Sequence, residues 1–170
     1  LNFYDEKALM TSLNATNPRE RAAAIRVLSH WKKQQEYLSF LRESIKDSDP
    51  QVRLETIHAL RELGTREAVE IVIQVKELPM DENLRFALDL TLSRLQDKWL
   101  PAFAKNENLF DGDKNKQLYA LLTSEDVQVI KPINNLLNQQ GLNKDLITKA
   151  WLLLAKIGDA ESLGKVLQKA

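Results

Sequence analysis

Apolar side chains recur along this chain at intervals of three and four residues, the spacing that gathers them on one face of a helix. The clearest stretch covers residues 49–64, where Val52, Thr56, Ile57, Ala59, Leu60 and Leu63 share a face. Its ends carry helix punctuation. Asp49 can accept the first free amides, Pro50 fits the first helical position, and Gly64 suits a left-handed terminator. Sliding residues 17–33 forward by 32 positions sets Pro18 on Pro50, Arg21 on Arg53, Ile25 on Ile57 and Leu28 on Leu60. The next 32 positions bring Leu84, Arg85, Leu88 and Leu92 after Val52, Arg53, Thr56 and Leu60, with Asp89 against Ile57 as a mismatch. The stretch is therefore one unit of an internal repeat.

Second helices complete the units. Residues 35–46, with Tyr37, Leu38, Leu41 and Ile45, predict a helix turned back on the first, and residues 5–13 predict the second helix of a truncated opening repeat. The β-branched cluster Val69, Ile71, Val72, Ile73 and Val75 reads in isolation as a buried strand. Its repeat context predicts helix over 65–78. A shift of 94 positions aligns Leu60, Gly64, Glu67, Val72 and Gln74 with Leu154, Gly158, Glu161, Val166 and Gln168, so the hairpin is expected again over 143–170. Between these copies the pattern loosens. Pro101 is expected to begin or kink a short helix, 105–113 is a polar loop, and helices follow over 115–122 and 125–139, the latter interrupted at Pro132. The expected fold is all-α, a right-handed α-α superhelix of about five helical hairpins forming a single domain over residues 1–170.

Charge and composition narrow the function. The 24 basic and 24 acidic residues cancel, which argues against a nucleic-acid or anionic-membrane surface. Without cysteine there is no disulfide, thiolate metal site or cysteine nucleophile in this chain. The longest aliphatic and aromatic run, 150–155, is far below the roughly 18 residues of a membrane span. Beginning at Leu1 with no leader pattern, the chain is expected to be a piece of a longer polypeptide.

Candidate chemistry is sparse. Asp111, Asp113 and Asn115 match the first three ligand positions of a calcium loop, but Lys116 and Leu122 stand where that loop needs Gly and Glu. Glu55, His58 and Glu62 share a helical stripe and form the nearest approach to a metal or acid–base cluster. A solvated face is the expectation for them, because zinc needs further ligands and His30 is the other histidine. Arg21, Arg53 and Arg85 recur at one repeat position, which predicts a structural ladder along adjacent helices with Asp49 and Asp81 as partners. Trp99 and Phe103 lie one turn apart; aromatics so spaced are ordinarily core, and these two are also the candidates for an interface anchor. No catalytic, cofactor or metal residues are assigned.

The period is close to that of tetratricopeptide and ankyrin units, whose Trp-Leu-Gly-Tyr and Thr-Pro-Leu-His patterns are missing. The run Asp-x-Asp-Pro-x-Val-Arg at 47–53, followed by Ala59-Leu60 and Leu63-Gly64, resembles the HEAT repeat in a short form. Residues 79–88, Pro-Met-Asp-Glu-Asn-Leu-Arg-Phe-Ala-Leu, continuing to Trp99-Leu100-Pro101-Ala102-Phe103, resemble the HEAT segment of secreted bacterial glucose/sorbosone-dehydrogenase-like proteins. In those proteins a β-propeller precedes the repeats and a c-type cytochrome domain often follows. The resemblance implies a periplasmic or secreted location and a linking or docking role beside such domains. The expected function is a non-catalytic interaction or interdomain scaffold whose partner is a protein, a flanking domain of the same polypeptide. The contrasting expectation is a DNA-binding enzyme of the HEAT-like glycosylase type, against which the neutral charge counts.

Overall fold

The structure is a computed structural model that describes residues 5–32, 35–105, 107–158 and 164. Among them are ten α-helices, three 3₁₀ turns and no strand. The chain divides into two compact units, Leu1–Leu95 and Gln96–Ala170.

The first unit contains α1 (Glu6–Leu13), α2 (Pro18–His30), α3 (Leu38–Ser44), α4 (Pro50–Leu63), α5 (Arg66–Val72) and α6 (Glu82–Arg94). Helix α4 lies between α2 and α6 in one layer, and α3 and α5 pack against it as the returning arms. Each first helix starts on a side-chain cap. Asn17 accepts from the Arg19 amide, Asp49 from Gln51 and Val52, and Asp81 from Leu84. Such caps contribute about 1 kcal/mol apiece. Gly64 closes α4 at φ 67°, a left-handed conformation that a side chain would strain.

The α4 face predicted from periodicity is the core of this unit: Val52, Thr56, Ile57, Ala59 and Leu60 are fully buried. Thr56 in α4 and Thr91 in α6 are enclosed because their hydroxyls donate to the carbonyls four residues back, Val52 and Ala87, at 2.8 and 2.7 Å. The β-branched cluster is helical. Val69, Ile71 and Val72 lie in α5, and Ile73 and Val75 in the 3₁₀ turn Ile73–Glu77 that extends it, all essentially without solvent contact. Burial on every side explains the composition, which propensity alone assigns to a strand.

The second unit contains α7 (Gln96–Ala104), α8 (Lys114–Leu121), α9 (Ile130–Leu137) and α10 (Lys144–Ile157), with α8, α9 and α10 packed on one another. Pro101 sits inside α7 instead of beginning it. Pro132 is the third residue of α9, where its missing amide has no intrahelical partner to lose, so the break falls earlier, at the 3₁₀ turn Val127–Val129. The expected return helix of the last hairpin, with Glu161, Val166 and Gln168, lies outside the described residues.

Candidate functional site

The arginine column is the best-defined polar arrangement. Arg21 sits in the second turn of α2, where its Nη1 donates to the carbonyls of Ala15 and Thr16, both at 2.9 Å. Its Nε and Nη2 form a two-pronged pair with the Asp47 carboxylate, 26 residues ahead, each at 2.9 Å. Arg53 repeats the geometry one unit later. Its Nη1 reaches the carbonyls of Asp47 at 2.7 Å and Ser48 at 3.0 Å, and its Nη2 reaches the carbonyl of Pro79, again 26 residues ahead, at 2.9 Å. Asp47 therefore links two rungs: its carboxylate holds Arg21 and the Asp49 amide, and its carbonyl holds Arg53. Arg85 is exposed and makes one long bond, 3.4 Å, to the Met80 carbonyl. The Asp47 hydrogen bond raises the Arg21 pKa.

Asp49 and Asp81, the partners expected from the sequence, are occupied as helix caps, and Asp47 takes the arginine. Asp47 opens the repeat motif at 47–53 and was not expected as the partner. The signal for it was the interval itself, because the residue 26 after each arginine closes the loop in both rungs.

Beside this column α2 and α4 enclose an open groove of about 740 Å³, lined by Arg26, His30, Glu55, His58 and Glu62 among others. Glu55 is 6% exposed and its carboxylate is taken up by the Arg26 guanidinium and by the Gln51 amide at 3.0 Å. The Glu55 bond raises the Arg26 pKa. The His58 pKa is lowered, first by burial and then by the nearby charge of Arg61, so the ring is a poor cation at neutral pH. Arg61 is itself pushed down by burial and by Arg94. Glu55, His58 and Glu62 do share a groove, but the one buried carboxylate is already paired, and no cluster able to hold a metal occurs among the described residues.

In the second unit, Asp113 caps α8 by accepting from the Asn115 and Lys116 amides at 2.9 and 3.1 Å. Asn115 donates to the Gly141 carbonyl at 3.2 Å and accepts from the Asn143 amide at 2.7 Å, joining two successive hairpins. These oxygens serve backbone amides, which accounts for calcium-like spacing without the later ligands. Trp99 is fully enclosed, and Phe103 stands edge-on to it at 6.0 Å with part of its ring accessible.

No described helix is long and apolar enough to cross a membrane. A family model for HEAT repeats matches residues 6–93, which covers the α2–α4–α6 layer except for the last residue of α6. No curated protein matches the chain.

Proposed function

The chain belongs to the HEAT-repeat family, and from that membership we propose that it is a non-catalytic scaffold module whose partner is a protein. The observation that carries this reading is how the charged groups of the first unit are used. Arg21–Asp47, Arg26–Glu55 and Arg53 with the Pro79 carbonyl each bind one repeat to the next. Groups committed to neighbouring repeats hold a rigid surface and are not available for proton or group transfer. The balanced charge favours a protein over a polyanion as the occupant of that surface.

The partner we propose is a flanking domain of the same polypeptide, docked on the face made by the second helices α3 and α5. Ion pairs cross that face between successive repeats, Arg42 with Glu67 at 3.0 Å and Lys46 with Glu77 at 3.7 Å, and supply both signs of charge to a docking surface. In the second unit Phe103 is the part-exposed anchor, with Trp99 as the wall behind it. The likeness of residues 79–103 to the HEAT segment of secreted dehydrogenase-like proteins supports such a parent and a periplasmic or secreted location.

Cross-linking mass spectrometry on the full-length polypeptide tests this reading. Lys46 and its neighbours on the second-helix face are expected to cross-link to a flanking domain. Cross-links confined to the repeats themselves, together with duplex DNA binding that weakens steeply with salt, would replace it with the nucleic-acid alternative.

A further inference from the structure

The first helices of the repeats turn one side toward the helix before them. The Arg26–Glu55 contact between α2 and α4 fixes which side it is. On α4 the positions along that side, Val52, Glu55 and Ala59, are 0%, 6% and 0% exposed, and on α6 their counterparts Leu84, Ala87 and Thr91 are buried too. On α2 the equivalent residues are Glu20, Ala23 and Val27, and all three are exposed, Val27 at 38%. Among the described residues, no helix lies on this packing side of α2. Helix α1 flanks it, and together they form a groove of about 300 Å³ with Leu9, Ala24, Val27 and Trp31 in its lining.

The rim has a sign. Glu20 stands at one end, accepting from the Ser12 hydroxyl at 3.2 Å, and Asp5, seven residues before Ser12, caps α1 at the other. At the helical rise, the two carboxylates are about 10 Å apart, or two turns. A second copy of this chain packed symmetrically on the groove would set Asp5 of one copy against Glu20 of the other, which charge opposes.

We propose that the groove receives one amphipathic helix from a protein partner, its apolar stripe seated on Ala23 and Val27 and its Lys or Arg side chains, two turns apart, meeting Glu20 and Asp5. The occupant extends the helix layer α2–α4–α6 by one position, in the way each of these helices covers the next. This proposal rests on reading the chain as a protein-binding module.

Two stapled peptides of about 18 residues, sharing an Ala/Ile stripe and differing only in Lys or Glu at the two flanking positions, are the probes. Their fluorescence anisotropy is measured against the whole chain. The Lys peptide is expected to bind at least about tenfold tighter than the Glu peptide. Val27→Asp, and independently Ala23→Glu, should weaken it by about tenfold or more with helical content unchanged, and Glu20→Lys should erase the preference. The proposal is overturned by equal affinity for both peptides, by no binding at about 1 mM, or by binding that neither variant weakens. A dimer that Val27→Asp converts to monomer also overturns it and makes a second copy the occupant. If the groove fails while cross-links still place a partner on α3 and α5, the module reading stands; failure of both removes it.

Discussion

Removing the Asp47 carboxylate should unfasten the first unit at its centre. In Asp47→Ala, Arg21 loses both prongs of its pair and the Asp49 amide loses an acceptor at 2.9 Å. The pair is neither surface nor core: the Arg21 and Asp47 side chains are 19% and 14% exposed. An exposed pair contributes about 0–1 kcal/mol and breaking a buried one costs about 3–5. Arg21 also keeps two carbonyl partners, Ala15 and Thr16, so its charge is not stranded. These bounds place the loss at about 2 kcal/mol. Arg53→Ala removes three hydrogen bonds from a residue 5% exposed and should cost about 2–4 kcal/mol. Arg85→Ala removes one long bond from an exposed residue and should cost under about 0.5 kcal/mol. Urea unfolding followed by far-ultraviolet circular dichroism reads all three as shifts in midpoint at constant slope. An Arg85→Ala loss equal to that of Arg53→Ala, or an Asp47→Ala loss under about 0.5 kcal/mol, would refute the ladder as a source of stability.

Leu60→Ala, at a fully buried site in α4, should cost about 2–5 kcal/mol in the same unfolding experiment. His58 gives a pH dependence. Its folded pKa lies below the ordinary 6.5, so the unfolded chain binds the proton first, and stability present above about 6.5 is lost as pH falls through the folded value. Unfolding midpoints measured from pH 7.5 down to 5 should fall more steeply for the native chain than for His58→Gln; parallel curves would show that burial of His58 carries no linkage.

The helices of the first unit were legible because three copies of one pattern check each other. Side-chain caps mark the starts of α2, α4 and α6 independently of the apolar spacing, with a proline at the first position of α2 and α4 and a terminal glycine after α4. The ladder was legible only in half. Repetition exposes Arg21, Arg53 and Arg85, but the acceptors are a carboxylate at Asp47 and a backbone carbonyl at Pro79, and a carbonyl leaves no mark in the sequence. The Arg26–Glu55 pairing was hidden for a different reason: the repeat counterparts His58 and Ala23 make no comparable pair, so repetition does not point to it. In the second unit the break expected at Pro132 falls earlier, because a proline at the third helical position loses no intrahelical bond, and Pro101 lies inside α7, where the sequence allowed a kinked helix. The uncovered side of α2 could not be read from composition. Ala23 and Val27 look like core residues, and only the burial of their counterparts in α4 and α6 shows what is missing.

Hydrogen exchange, compared between this chain alone and the same residues within its full-length polypeptide, tests the scaffold most directly. A protein-binding module predicts slower amide exchange in α3 and α5 when the flanking domains are present, with α4 already protected in the isolated chain. Identical exchange at every amide in the two forms would mean that no flanking domain docks on the repeats and would contradict the account.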